Sequence, residues 1–306
     1  MNRLKRLIPW WAKIAAKILL SRLPLPYRFW KRAGLFVHGN MDNAVSSVRS
    51  LLLHAQTAGL LAPGAQPPRF KQAGTGFKVL EIGPGDSLST ALAARLMGAD
   101  QIWLVDSGPF ASTALTTYHQ LAHHLGELGY DTEPFARAQV IGQWLDQCQA
   151  SYLTEGVASL AGLPDASVDF CFSNAVLEHI PAAEFRRFLA EHKRILKPGG
   201  VGVHRVDLQD HLGGRLDNLR FSERVWESAL FRRAGFYTNR IRFRTMQDIF
   251  TQAGFVCSVP RCIRWDTLPT PRSKMQSGFA ALDDENLLVK GFDLVLRLPA
   301  GQVAES

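Results

Sequence analysis

Cysteine is scarce in this chain, with four in 306 residues: Cys148, Cys171, Cys257 and Cys262. Cys257 and Cys262 lack metal-site spacing and a second pair, so no metal site is expected. Cys171 sits in an apolar run, where a buried thiol is expected. Reduced thiols and a cytoplasmic protein follow as the expectation, although so few cysteines do not by themselves exclude secretion. Acidic residues are missing from the first 32 positions, which carry Arg3, Lys5, Arg6, Lys13, Lys17, Arg22, Arg28, Lys31 and Arg32. Those nine are part of 35 basic side chains, and the other 26 face 27 acids, so the rest of the chain is close to neutral. A basic surface over the whole domain, of the kind that suits extensive nucleic-acid binding, is not implied.

A long uninterrupted apolar run is also missing. Leu7 to Leu25 is broken by Lys13 and Lys17 and closed by Pro24 and Pro26, which is too short and too charged for a spanning helix. No small-residue cleavage site follows it, so a signal peptide is not expected. Lys13 and Lys17 would share one helix face opposite part of a Trp/Ile/Leu face. Such a helix could pack across the domain as a lid, the favoured reading, or lie peripherally on an anionic membrane. There is no repeat and no low-complexity tract. No G-K-[ST] ending occurs, which argues against a phosphate-cradling loop, and Ser87 stands where a dinucleotide motif would have its third glycine.

What is present begins with residues 1–62, read as an N-terminal helical extension with a helix over 46–61. A Pro/Gly linker follows over 63–76, and an α/β domain over 77–306. Phe77 to Ile82 reads as a buried strand that runs into Gly83-Pro84-Gly85-Asp86-Ser87 and then a helix over 88–97. Glycines there let the backbone approach a ligand, and the exposed N–H groups favour electron-rich atoms. The next strand, Gln101 to Val105, ends in Asp106, about 20 residues on, where an acid suits two ribose hydroxyls. Further along stand Leu163-Pro164-Asp165-Ala166-Ser167-Val168-Asp169-Phe170, then Ser173 to Ile180, and Ile195-Leu196-Lys197-Pro198-Gly199-Gly200 before another strand.

In this order, from Val79 to about Val206, the motifs resemble the class I S-adenosylmethionine-dependent methyltransferases, particularly the broad group related to ubiquinone and glycan methylating enzymes. The resemblance implies a doubly wound, Rossmann-like, seven-stranded, mostly parallel α/β sheet with helices on both faces and one antiparallel strand. The helical extension and a lid insertion over 208–244 add to it. It implies S-adenosylmethionine as cofactor. Glu81 would orient the methionine end, directly or through water, and Gly83, Pro84 and Gly85 would lie against the cofactor. Asp106 would hold the ribose and Ser107 would neighbour the adenine. Ser173 and Asn174 would line the methionine side or cap the next helix. The chain departs from the family pattern after the third strand. Glu155-Gly156-Val157-Ala158-Ser159 replaces a Gly-Asp-Ala sequence, so adenine falls to backbone atoms, Ser159 or apolar packing. Tyr152 is read as a core strand residue.

For the acceptor, polar residues gather at and beyond the strand Val201 to Val206. A hydroxyl acceptor needs help losing its proton, and imidazole suits that role near neutral pH. His211 on a loop is the first candidate, His204 the second, with His179 behind them; Asp207 or Asp210 could orient one of them. His179, Arg205, Asn239 and Arg240 are candidate acceptor contacts. The Arg- and aromatic-rich stretch 215–244 reads either as a lid whose aromatics pack inward or as an acceptor pocket for a sugar, a phosphorylated sugar or a lipid-linked glycan. The expected activity is methylation of oxygen on a small polar or saccharide acceptor. A cofactor-binding scaffold without turnover, and transfer to nitrogen or carbon, stand as alternatives. Nucleic acid is the least favoured acceptor: no Asn/Asp-Pro-Pro-aromatic sequence occurs, and Ser173-Asn174-Ala175-Val176 is different.

Overall fold

The computed structural model describes Ala12, Ile14, Ala15 and Ile18 and residues 44–299. Seven strands form one sheet: β1 Lys78–Ile82, β2 Gln101–Val105, β3 Ala150–Leu153, β4 Val168–Asn174, β5 Leu196–Asp207, β6 Val256–Arg264 and β7 Val289–Arg297. Their order is β3-β2-β1-β4-β5-β7-β6. The first five pair in parallel, and β7 runs antiparallel between β5 and β6. The expected doubly wound sheet with one antiparallel member is therefore present. The order reverses direction between β1 and β4, and in open α/β sheets that switch point opens a crevice beyond the strand ends.

Helices cover both faces. On one lie α1 Ala44–Ala58, α2 Ser89–Leu96, α3 Leu115–Glu127 and α4 Ile141–Gln147; α5 Val157–Leu160, α6 Ala182–Ile195 and α7 Phe243–Gln252 lie on the other. The period-2 alternation of the strands decides which residues meet which layer. Phe170 and Phe172 of β4 join the core with α1 and α2, while Cys171 between them faces the layer of α6 and α7. In α1, Val48, Leu51, Ala55 and Ala58 recur at helical spacing and are buried against β1, β4 and β5. Thus α1 packs as part of the core under the sheet. Full burial of a side chain such as Leu51 stabilises by roughly 1.5–3 kcal/mol relative to exposure.

The stretch between β5 and α7 holds a 3₁₀ turn at Asp217–Arg220 and single helical turns at Glu223–Trp226 and Ala229–Arg232. Its aromatics form their own cluster: Trp226, Phe231, Phe236 and Tyr237 pack with Leu212 and Ala234. Trp226 donates its indole N–H to the Thr238 carbonyl at 2.7 Å, which removes the cost of burying that group. Ile14 is buried in the same cluster, with Ile18 beside it. The described part of the N-terminal helix therefore seats apolar residues on the lid, as the packed-helix reading expects. Lys13 and Lys17 lie outside the described residues. Among the described residues, no helix is long and apolar enough to cross a membrane.

Candidate active site

The crevice at the sheet switch point is a cavity of about 410 Å³. Ligand pockets commonly fall between roughly 300 and 1,000 Å³. Ile82, Gly83, Val105, Asp106 and Ser107 form its floor, at the carboxyl ends of β1 and β2. Glu155, Gly156, Val157 and Leu160 contribute one wall. Val176, His179, Ile180 and Pro181, with Glu184 and Phe188 of α6, contribute the other.

The floor is built by a turn only glycine fits. Gly83 has φ +74°, in the left-handed region. A Cβ there would come within 2.3 Å of Val176 Cγ2. The loop after β4 supplies that valine: Ala175 adopts φ 56° and donates its N–H to the Arg205 carbonyl, turning the chain over the glycine. Asp106 spans the floor. Its Oδ2 accepts from the Gly85 N–H at 2.9 Å, and its Oδ1 accepts from the Ser107 N–H at 2.7 Å. The carboxylate is thus oriented by two backbone donors and half-exposed beside the cavity.

Glu81 lies beneath this floor. It is 3% exposed, and its Oε2 accepts a short hydrogen bond from the Thr90 hydroxyl. Burial, reinforced by the nearby Asp106 carboxylate, pushes its pKa up to about 8, although the Thr90 bond opposes the rise. Glu178, beside His179, is pushed well above the usual carboxylate range by burial, with the charge of Asp207 acting in the same direction. Its Oε1 accepts from the Asp207 N–H, and its Oε2 is buried without a partner. Asn174 Oδ1 is likewise buried and unpartnered.

Of the residues expected to hold the cofactor, Gly83, Asp106 and Ser107 line the cavity. Pro84 and Gly85 are buried in the turn beneath it. Glu81, Ser173 and Asn174 lie outside the cavity wall. Ser173 is fully buried with its hydroxyl 2.8 Å from His204 Nδ1. The Ser159 hydroxyl accepts from the Glu155 N–H at 3.0 Å, so it closes the loop after β3, and Val157 and Leu160 present the apolar surface there. Tyr152 does not line the cavity; its hydroxyl donates to the Gly108 carbonyl and accepts from the Phe110 N–H.

The acceptor candidates separate sharply. His179 lines the cavity, and its Nδ1 donates to the Tyr237 carbonyl at 3.0 Å, which leaves the lone pair of the neutral ring on Nε2. His211 meets it edge-on, ring centroids 4.7 Å apart. His204 is different: it is fully buried under α6, 3.1 Å from His192, and has no route to a substrate. Asp207 and Asp210 do not orient His211. Asp207 holds the backbone and side-chain amides of Gln209, and Asp210 accepts from the N–H groups of Leu212, Gly213, Arg215 and Asp217. Arg205 pairs with Asp293 across β5 and β7, away from the cavity.

Asn239 and Arg240 are struts rather than cavity contacts. Asn239 Nδ2 donates to the carbonyls of Leu177 and Ile180, pinning the loop that carries His179. Arg240 stacks between Trp226 and Phe279 and donates to the Phe221 carbonyl. Other lid arginines are committed too. Arg220 pairs with Asp217, Arg215 donates to the Pro269 carbonyl, and Arg242 donates to the carbonyls of Leu208, Asn286, Leu287 and Val289. Arg224, Arg232 and Arg233 are exposed. The aromatics of this stretch pack inward, and among the described residues no arginine lines the cavity.

Sequence reasoning missed Glu184 and Phe188. They are four residues apart on one face of α6, but nothing local says that this face borders the cavity. Gly156, with φ 58°, did carry a signal, as a glycine inside an anomalous motif.

Residues 80–203 match a family model described as a methyltransferase domain. No curated protein matches the chain. Among solved structures, it is similar to an arsenic(III) S-adenosylmethionine methyltransferase from Chlamydomonas reinhardtii: 19% identity, 85% of this chain and 76% of that one, TM-score 0.43. It is similar to a phosphoethanolamine N-methyltransferase from Haemonchus contortus at 17% identity, covering 73% of this chain and 49% of that one, TM-score 0.39. An Aquifex aeolicus SAM-dependent methyltransferase matches at 15% identity over 73% of this chain and 82% of that one, TM-score 0.35. At such values these likenesses carry no argument about the acceptor.

Proposed function

From a chain that carries a class I S-adenosylmethionine-dependent methyltransferase domain, we propose an enzyme that methylates a hydroxyl oxygen of a small polar acceptor, with the His179–His211 pair receiving the hydroxyl proton. The observation that carries this reading is His179 itself. It is a cavity-lining imidazole whose tautomer is set by the Tyr237 carbonyl and whose ring is backed edge-on by His211.

The residues present fit the cofactor. It supplies an electrophilic methyl group on a sulfonium cation. Asp106, Glu155 and Glu184 line the cavity, which suits a cationic ligand, and Asp106 is braced to accept from ribose hydroxyls. Val157, Leu160 and Ile180 offer apolar surface for a base ring. Asn174 Oδ1 and Glu178 Oε2, buried polar atoms without partners, supply unmet hydrogen-bonding capacity close by.

The chain's own contribution is positioning and proton acceptance. Asn239 fixes the loop of residues 177–180, so His179 is held rather than mobile. A held base within reach of an acceptor hydroxyl accelerates such a step by roughly 10²–10⁴. The committed lid arginines disfavour a phosphorylated-sugar pocket, so a saccharide acceptor, if used, would be an uncharged one. Transfer to nitrogen would need less help from a base and would depend less on His179.

The test is a turnover assay with labelled S-adenosylmethionine and a metabolite extract, the labelled product being identified by mass spectrometry. His179→Ala should lower kcat about 10²–10⁴-fold, and His211→Ala by less, with cofactor affinity within about twofold of the unmodified protein. Full activity in both variants, or a product methylated on nitrogen or carbon, would overturn the assignment.

A further inference from the structure

Behind the active-site strands lies a second cluster that methyl transfer does not use. Cys171 on β4, His192 on α6 and His204 on β5 are each at most 1% exposed, and one donor atom from each lies within 4.8 Å of the others. The sheet register assembles them: Cys171 is paired with Gly202, and Ser173 with His204, so all four occupy one face beneath α6. Gly202 leaves the space in which the rings meet. A Cβ there would stand 3.0 Å from His204 Nε2 and 3.3 Å from His192 Nε2.

Hydrogen bonding alone does not satisfy this group. The two Nε2 atoms are 3.1 Å apart, and Ser173 Oγ anchors His204 Nδ1 at 2.8 Å. His192 Nδ1 remains buried with no partner, among the rings of Phe188, Phe250 and Phe255. A metal-binding histidine usually donates its other ring N–H to an outer oxygen, and Ser173 Oγ stands in that place for His204.

We propose that Cys171, His192 and His204 form a three-coordinate site for a soft monovalent ion, copper(I). Two neutral imidazoles and one thiolate around a +1 ion sum to zero charge, which a phenylalanine-lined core tolerates. A divalent ion on the same ligands would leave a net positive charge buried in apolar surroundings. Thiolate and imidazole ligands suit copper(I). Among the described residues, the cluster also lacks the fourth donor that closed zinc sites require. Binding replaces the S–H bond of Cys171 by an S–Cu bond and releases one proton to solvent, with no change in oxidation state. The ion would tie β4, β5 and α6 together directly behind Asn174 and the cavity wall.

The test uses the full chain, produced in medium supplemented with both copper and zinc and purified anaerobically under reductant. Metal content should be about one copper per chain, and Cys171→Ala should retain less than about a tenth of that. X-ray absorption at the copper edge of the unmodified protein should report copper(I) with one sulfur and two nitrogen ligands. This reading stands even if the variant fails to fold. A metal-free chain, zinc in place of copper, or copper retained equally by Cys171→Ala through the more accessible Cys257 and Cys262 would each refute the site.

Discussion

Glu81 is a carboxyl group whose pKa is pushed up to about 8, because burial removes water from its charged form. In the unfolded chain it ionises near 4.5. Between those values the folded state binds the extra proton, so this group's contribution to stability falls as pH rises from about 4.5 to 8 and levels off above. At 1.36 kcal/mol per pKa unit the full effect is of order 5 kcal/mol. Urea denaturation should therefore show Glu81→Gln flattening this part of the pH profile; an identical profile in both proteins would contradict the burial argument. A cationic ligand end placed nearby would favour the carboxylate. Cofactor binding near pH 7 should then release a proton, visible as buffer-dependent heat in calorimetry and lost in Glu81→Gln. Asp106 makes a simpler case. Its carboxylate is oriented by two backbone N–H groups and half-exposed at the cavity. Asp106→Ala should weaken cofactor binding about 10- to 100-fold, since a hydrogen bond to a charged group contributes roughly 1.5–3 kcal/mol. Unchanged calorimetric affinity would remove it from the ribose role. The sequence singled out Asp106 by its place at the tip of the second strand and Glu81 by the family resemblance. His204 was not legible in this way: a histidine in an apolar strand can face either layer, and only its docking under α6 buried it.

The glycine turn and the loop after β4 act as one unit. Val176 sits where a Gly83 side chain would be, so Gly83→Ala must move the loop that carries His179 as well as strain its own backbone. Gly83→Ala should lose cofactor affinity by more than about tenfold, and Val176→Ala in the same chain should restore part of it by opening the contact. Failure of the second change to restore any binding would show that backbone strain, and not the contact, is responsible. In the lid, Trp226 is fully buried among Phe221, Phe231, Phe236 and Tyr237 and stacks under Arg240. Trp226→Ala should cost about 3–5 kcal/mol by denaturant titration, as large aromatic truncations in cores do. A cost below about 1 kcal/mol would mean that the lid folds independently of this cluster. The stretch was recognisable as aromatic and arginine-rich. Its arginines looked available for phosphate because their acceptors are backbone carbonyls from distant segments, such as Leu208 and Val289 for Arg242.

Taken as a molecule, the protein joins a neutral catalytic body to a basic leader. Ile14 and Ile18 rest on the lid cluster, so the leader's apolar face has a place on the domain. Removing residues 1–26 should lower thermal stability and leave sedimentation with anionic vesicles unchanged; a loss of vesicle binding would instead favour the membrane role. The sequence alone marked the strand–glycine turn–helix unit at Gly83 and Gly85 and the acid at the tip of β2, because these depend on local periodicity, turn chemistry and motif spacing; the mostly parallel sheet followed from the family resemblance, and the strand order from the structure. Tertiary structure alone decided which histidine reaches the cavity, how the lid arginines are used, and that Cys171, His192 and His204 meet. Each of those outcomes depends on how β4, β5 and α6 pack face to face, and contacts between segments far apart in the chain leave no periodic trace within any one of them.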